Sequence, residues 1–382
     1  MPWKETGPMK ERINFISDWQ REETSISELA RKYEISRKTA YKWIRRYGQE
    51  GVLGLKERIS RADEYPNQTD KKIVEKIIEV KRKHHTWGPE KIICYLENHH
   101  PGQTWPAIST AGKWLKKYGY VKTRKKKRRV TEYREVFIGC DQPNDVWSAD
   151  YKGQIKLRNK KYCYPLTITD NYSGYLLSCD GLYGPKYEET RAVFEKMFRE
   201  YGLPKAIRTD NGVPFAGTGI NGISKLSIWW IKQGIRPERI KKGKPQENGR
   251  HERMHRTLKA EAVGSQLIGM KQQQNKLDVF RYDYNIERPH RALGGQTPHS
   301  YYERSERMYK ENPEEPWYDE SYKVRSVRHN GEIKFKGHLI RLSHLLMKEK
   351  IALKEIDNDM WEILFYDQTL GKIDGRTMKI IY

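Results

Sequence analysis

Three carboxylates have the chemistry and the placement to act together. Asp150 ends the apolar run Val146-Trp-Ser-Ala-Asp-Tyr151, and Asp210 lies in Ile207-Arg-Thr-Asp-Asn-Gly212. Glu252 lies in Pro245-Gln-Glu-Asn-Gly-Arg-His-Glu-Arg-Met-His-Arg-Thr-Leu-Lys259. The first two acids stand at the ends of short β-rich segments, and the third stands on a helix-like stretch. Hard divalent cations take oxygen ligands, so carboxylates gathered this way from distant sequence are what a metal site needs. Two such ions about 3.5–4 Å apart can activate an attacking oxygen and steady the leaving oxygen of a phosphodiester. On the helix, Asn248, Glu252, Arg256 and Lys259 follow at spacings of four, four and three, so acid and base share one face. The pattern implies metal-assisted phosphoryl transfer on nucleic acid.

The elements that must position these acids read as a mixed sheet flanked by helices. Strands are expected at 146–151, 161–169 and 174–180, then a helix over 187–201 and a strand over 206–209 that ends at Asp210. Residues 227–234 read as helical, 235–240 as extended and 248–262 as helical. Asp145 and Asp170 are acidic neighbours of this core and read as groups that cap or orient strands. His251 and His255 could also approach the site, although histidines on so charged a helix are more often solvated side chains. This order of strands and helices predicts a mixed α/β unit.

Before it come two segments with the pattern of DNA readers. Ser25-Ile-Ser-Glu28 is a capping box, with Ile26, Leu29 and Ala30 on one helical face. Glu34-Ile-Ser36 makes a turn, and Ser36 caps a second helix that runs to about Tyr47, with Gly48 as its stop. Ala40, Trp43 and Ile44 form its buried face. Arg37, Lys38, Thr39, Tyr41, Lys42, Arg45 and Arg46 are left for DNA, as a recognition helix in a major groove requires. A second helical unit over 69–121 carries Ile73, Val74, Ile77, Ile78 and Val80, then Ile92, Ile93, Tyr95 and Leu96. Its last helix has Ile108, Ala111, Trp114 and Leu115 inward, with Ser109, Thr110, Lys113, Lys116 and Lys117 outward.

Seven of the eight residues from Lys122 to Arg129 are basic. Such a run repels itself when free and orders against phosphates, so Lys125, Lys126 and Lys127 are candidate backbone contacts without sequence information. The whole chain points the same way. Its 382 residues carry 74 Lys+Arg against 50 Asp+Glu, a net charge of +24 that attracts polyanions. Cys94, Cys140, Cys163 and Cys179 have no Cys-x-x-Cys pair, which fits reduced thiols rather than a disulfide frame or zinc site. No apolar run approaches membrane-spanning length, so a cytoplasmic protein with access to DNA and no membrane partner is expected.

The last sixty residues alternate around Asn330-Gly331, a hairpin signal, and continue with short strands at 351–356, 361–366 and 370–373. Together they predict a small C-terminal β-barrel.

The motifs resemble the catalytic core of insertion-sequence transposases with a retroviral-integrase-like fold, the DDE class. The resemblance rests on Trp147-Ser-Ala-Asp-Tyr-Lys-Gly153, Thr209-Asp-Asn-Gly-Val-Pro-Phe215, the 245–259 stretch and Tyr284-Asn-Ile-Glu-Arg-Pro-His-Arg-Ala-Leu293. It implies a multidomain α/β chain with a ribonuclease-H-like core. The expected division is a helix-turn-helix domain at 1–56, a linker at 57–68 and a second such domain at 69–121. A basic linker at 122–135 leads to the core at 136–305, and a linker at 306–320 leads to the barrel at 321–382. The resemblance makes Asp150, Asp210 and Glu252 the ligands of Mg²⁺, with Mn²⁺ as a substitute, and places Asn248, Arg256 and Lys259 at the DNA end. Forty-one residues separate Asp210 from Glu252, more than the class often has, and Glu247 fits the simple count better. The Asn-Gly-x-x-Glu-Arg context favours Glu252, and 217–230 has room to absorb the extra residues.

The implied activity is that of a transposase, which binds the terminal inverted repeats of its element, exposes 3′-hydroxyls and joins them to target DNA. Joining two ends implies a homodimer or larger assembly. A catalytically idle domesticated DNA-binding protein and a stand-alone nuclease of the same fold are the alternatives.

Overall fold

The computed structural model describes residues 7–57, 69–121, 139–217, 219–240, 249–263 and 267–381. The chain divides into two compact units, Met1–Gln68 and Thr69–Tyr382.

The first unit is three helices, α1 Pro8–Gln20, α2 Ile26–Lys32 and α3 Arg37–Glu50. Ser25 and Glu28 form the expected capping box, each satisfying the other's backbone N–H. Glu34 takes a positive φ of 56° in the turn, and Ser36 caps α3 by accepting from the Thr39 N–H at 3.1 Å. The helix outlasts the expected stop. Gly48 is an exposed interior position, and the chain turns at Gly51, where φ is +60°. Phe15, Ile16, Leu29, Ala30, Ala40, Trp43 and Leu55 make the core.

The second unit begins with α4 Lys71–Lys83, α5 Pro89–His99 and α6 Ile108–Lys117, packed around Ile77, Trp87, Ile92, Leu96, Ala111 and Leu115. Ile108, expected inward, is 45% exposed, because it is the first helical residue and precedes the buried stripe.

The central sheet contains β1 Val146–Tyr151, β2 Ile155–Lys156, β3 Tyr162–Asp170, β4 Leu176–Leu182, β5 Ala206–Thr209 and β6 Arg236–Arg239. The strands β4, β3 and β1 pair antiparallel, and β5 and β6 continue parallel to β1. The middle strand β1 is buried over its first four residues, which explains its unbroken apolar character. On one face lie α7 Tyr187–Tyr201 and α8 Lys225–Lys232, sharing a core with Trp147, Ala149, Leu166, Ile168 and Ile207. On the other, α9 Gly249–Glu261 and α10 Met270–Tyr282 pack Met254, Leu258, Leu277 and Phe280 against Leu176 and Cys179.

The C-terminal strands are β7 Lys323–Ser326, β8 Glu332–Phe335, β9 His338–Arg341, β10 Lys350–Asp357, β11 Met360–Phe365, β12 Gln368–Asp374 and β13 Lys379–Ile381. They do not close into the expected barrel. The order β13-β12-β11-β10-β7 is an open antiparallel sheet, with β8 and β9 as a separate hairpin. The hairpin tip is Lys336-Gly337, both at positive φ, rather than Asn330-Gly331. Asn330-Gly331 turns the chain out of β7, which pairs with β10 instead of β8. The open edge is compensated by burial elsewhere. Ile220, Ile223, Ile228 and Ile231 of the 217–232 stretch enter the same core as Ile333, Phe335, Trp361 and Phe365. The stretch expected to absorb the longer interval between Asp210 and Glu252 thus packs against the C-terminal strands.

Candidate functional site

The register of β1 and β5 decides where the first two acids stand. These strands run parallel, with Trp147 opposite Ile207 and Ala149 opposite Thr209. Neighbouring strands lie about 4.8 Å apart, so the next residue of each, Asp150 and Asp210, emerges side by side at the same sheet end. Both carboxylates are half-buried. Gly212 donates its N–H to Asp210 Oδ1 at 3.0 Å, and a Cβ at position 212 would lie 3.0 Å from Oδ2. A side chain at position 212 would therefore press on the Asp210 carboxylate and shift it by a few tenths of an ångström.

Side-chain alternation fixes which way Asp150 faces. Trp147 and Ala149 enter the core beneath α7, so Ser148 and Asp150 point to the α9 face. On the neighbouring strand Leu166 and Ile168 follow the first set, and Thr167 and Thr169 the second. The helix α9 meets this polar strip with His251 and His255, 3% and 6% exposed. Thr167 Oγ1 lies 2.7 Å from His251 Nε2 and 2.7 Å from His255 Nε2, and donates to the Asp150 carbonyl at 3.0 Å. Thr169 Oγ1 lies 3.1 Å from His251 Nδ1, and His255 Nδ1 lies 3.7 Å from Asp150 Oδ2. Burial pushes His251 down to about 3; burial, then His251 and Lys152, push His255 down to about 2. The two rings are therefore neutral at ordinary pH. They are buried groups at the site, contrary to the solvated side chains expected.

Glu252 is exposed on the first turn of α9, one residue from His251. The structure brings its helix against Asp150 without bringing the three carboxylates into one tight cluster. Among the described residues the cluster with metal-ligand spacing is Asp150, His251 and His255. Like charges have reason to stay apart until a cation stands between them. Arg256 and Lys259 are exposed on the same helix, as the spacing required. Asn248 and the competing Glu247 lie outside the described residues, as do Lys125, Lys126 and Lys127.

Asp170 and Asp145 are structural. Asp170 is fully buried and accepts from the N–H of Asn144 and Ser173, both at 2.8 Å, and from Ser173 Oγ at 2.6 Å. Asp145 accepts from the N–H of Asp141 at 2.9 Å and of Gln142 at 3.0 Å, and pairs with Lys205 at 2.8 Å.

The DNA-reading candidates separate into two groups. Arg37, Lys38, Tyr41 and Arg45 are exposed on α3, and Ser109 and Lys113 are exposed on α6. Thr39, Lys42 and Arg46 are half-buried. The Thr39 hydroxyl is held by Ser36 at 2.9 Å, while Lys42 and Arg46 lie over the Trp43 ring at 4.6 and 5.2 Å. These three also serve the packing of the domain.

The stretch 284–293 proves to be a junction. Asn285 bonds the Leu176 N–H and carbonyl at 2.8 and 2.9 Å, and Arg288 makes two bonds to Glu261 at 2.7 and 3.0 Å. Glu287 meets Lys83 at 3.2 Å, Asp283 meets His84 at 3.1 Å, and the Pro289 carbonyl accepts from Lys91. One turn thus clamps α10 to β4, α9 to α10, and the α4–α6 helices to the core.

Comparison with known proteins agrees with this arrangement. Two models described as integrase core domain match residues 141–245 and 233–298. The chain carries an integrase core. A helix-turn-helix domain model matches 11–63, and a homeodomain-like domain model matches 39–115. The chain is 23% identical over 249 residues to an uncharacterized 31.7 kDa protein of insertion element IS407 from Burkholderia multivorans, covering 65% of this chain and 86% of that one. It is 27% identical over 182 residues to a 39.2 kDa protein of insertion element IS476 from Xanthomonas euvesicatoria, covering 46% and 49%. It is 29% identical over 121 residues to the Pol polyprotein of feline endogenous virus ECE1, covering 31% of this chain but 11% of that one. Among solved structures, the HTLV-2 integrase catalytic core in complex with magnesium aligns at TM-score 0.32 with 18% identity, covering 43% of this chain and 99% of that one. A simian T-cell lymphotropic virus intasome chain aligns at TM-score 0.37 with 14% identity, covering 80% and 98%. The family models thus place a helix-turn-helix match and a homeodomain-like match ahead of the two integrase-core matches, and the two bacterial relatives are insertion-element proteins. Among the described residues no helix is long and apolar enough to cross a membrane.

Proposed function

We propose that this protein is a transposase that binds the terminal inverted repeats of its element, cleaves to expose 3′-hydroxyls and joins them to target DNA. The observation that carries the reading is the β1–β5 register, which sets Asp150 beside Asp210 at one end of two parallel strands. The residues present fit a hard divalent cation such as Mg²⁺. Both acids are accessible carboxylates, Asp210 has one oxygen oriented by the Gly212 N–H, and Glu252 stands exposed on the adjoining helix. Asp150, Asp210 and Glu252 would hold the metal, with Mn²⁺ as its substitute. When bound, the cations supply Lewis acidity to the attacking and leaving oxygens of the phosphodiester.

The chain's own residues provide position and charge. Arg256 and Lys259, on the exposed face with Glu252, hold the phosphates of the element end. Arg37, Lys38, Tyr41 and Arg45 read base edges from α3, and Ser109 and Lys113 extend the site from α6. The basic run at 122–135 tracks backbone phosphate between the readers at 1–56 and 69–121 and the core at 136–305. Two ends must meet for joining, so a homodimer or larger assembly forms on DNA.

The test uses the full chain, duplexes ending in the inverted repeats of its own element, a target plasmid and Mg²⁺. Cleavage at the ends followed by joined product supports the reading. Specific end binding without cleavage makes it an idle DNA-binding protein, and cleavage of any duplex alike makes it a nuclease.

A further inference from the structure

Proton accounting around Thr167 gives the buried histidines distinct roles. Its hydroxyl has one hydrogen and three hydrogen-bonding neighbours: the Asp150 carbonyl, His251 Nε2 and His255 Nε2. The carbonyl can only accept, so the hydroxyl proton goes to it. With the proton assigned there, both Nε2 atoms carry hydrogens and donate to Thr167. His251 is completed by Thr169, whose hydroxyl donates to Nδ1 at 3.1 Å, so both of its nitrogens are committed. His255 keeps its Nδ1 lone pair, and that lone pair faces Asp150 Oδ2 at 3.7 Å. This is too long for the roughly 2.8 Å charge-assisted hydrogen bond that a protonated ring would make to a carboxylate. Two acceptors held face to face are what a cation needs. Donors bound to one cation at about 2.1 Å each lie roughly 3.0–3.4 Å apart, a small side-chain adjustment from the observed spacing.

We infer that His255 Nδ1 and Asp150 Oδ2 together form a mixed nitrogen–oxygen face of the metal site, which tightens its hold on Mn²⁺ while the carboxylates continue to hold Mg²⁺. The inference rests on the proposed metal site and adds a ligand to it. Imidazole favours first-row transition metals, whereas Mg²⁺ favours oxygen alone. Thr167 fixes the ring with its lone pair outward, as the partner of the distal nitrogen does for metal-bound histidines. His251 shares the same burial but is excluded, because neither ring nitrogen is left for a metal.

The experiment is pulsed electron paramagnetic resonance on the full chain with Mn²⁺, alongside competition titrations with Mg²⁺. The bound Mn²⁺ signal of the unaltered protein should show coupling to a histidine nitrogen. His255→Leu should abolish that coupling and weaken Mn²⁺ binding by about tenfold or more, with Mg²⁺ affinity changed by less than about threefold. Thr167→Val should weaken Mn²⁺ about tenfold through loss of the ring's anchor. Bound Mn²⁺ without nitrogen coupling in the unaltered protein overturns the inference whatever the variants do. Asp150→Asn separates the two failures. If it abolishes binding of both ions while nitrogen coupling is absent from the unaltered protein, the metal site stands and His255 is no ligand. If it leaves both ions bound as before, the site itself has been misplaced and the inference falls with it.

Discussion

Replacing Asn285 by Ala tests whether the 284–293 junction holds the catalytic helix in place. Asn285 is 3% exposed, and its amide satisfies both the N–H and the carbonyl of Leu176, at 2.8 and 2.9 Å. Leu176 itself is fully buried in the core that receives Met254 and Leu258 of α9. Truncation leaves those backbone groups without this partner in a dry site, at about 1–3 kcal/mol each, so the total loss is roughly 2–6 kcal/mol. At roughly 2–4 °C per kcal/mol, the melting temperature should fall by about 4–24 °C. Differential scanning calorimetry of the full chain provides the reading, with Tyr282→Ala as the control. Tyr282 is 60% exposed, and its loss should cost no more than about 0.5 kcal/mol. A shift of less than about 2 °C for Asn285→Ala, or an equal shift for the control, would refute the reasoning.

Other expectations follow from the same geometry. Arg37→Ala with Lys38→Ala should erase preference for the element's ends over random duplex in a gel-shift competition, because these exposed side chains open α3. Neutralising Lys125, Lys126 and Lys127 should weaken binding to all sequences alike and flatten the slope of log affinity against log salt by roughly 0.9 per lost contact; an unchanged slope returns the run to a plain linker. His290 is held down to about 4 by burial and then by Lys91, while its unfolded value is 6.5. The unfolded chain takes up its proton first, so stability is full above 6.5 and falls as pH drops from 6.5 towards 4. Between pH 7.5 and 5.5 this residue should cost about 1.4 kcal/mol, and denaturant titrations of His290→Gln should show the pH slope reduced by that amount. Glu252→Gln should lose strand cleavage and Glu247→Gln should keep it; the reverse result would move the third acid.

The sequence made the central sheet legible because its signals were local and consistent. The short strand that carries Asp150, the strand that leads into Asp210, and the basic helix after Pro245 each carry their own pattern, and the structure places strands or helix there. The capping box at Ser25 needed four residues to recognise. What failed depended on partners distant in sequence. Asn330-Gly331 is a true turn signal, but pairing β7 with β10 rather than β8 is a tertiary choice that no turn residue encodes. The histidines of α9 looked solvated because their neighbours are Arg250, Glu252, Arg253 and Arg256. Their destination was written in another segment, in the alternation Thr167-Ile168-Thr169 of a buried strand. Polar residues at every second position of an otherwise apolar strand were the available signal, to be matched with histidines four apart on a helix. The role of Asn285 and Arg288 was hidden for the same reason, since each is paired with a group on another element.

The central claim is that Asp150 and Asp210 act as one metal-binding pair in DNA strand transfer. The direct measurement is the joining of pre-cleaved element ends to target DNA with Mg²⁺ by Asp150→Asn and Asp210→Asn, alongside end-binding affinity for each. The expected result is loss of joined product by at least about three orders of magnitude in both variants, with end binding unchanged within about threefold, because the carboxylates stabilise transition-state charge and read no sequence. Joining at the unaltered rate by either variant would contradict the account.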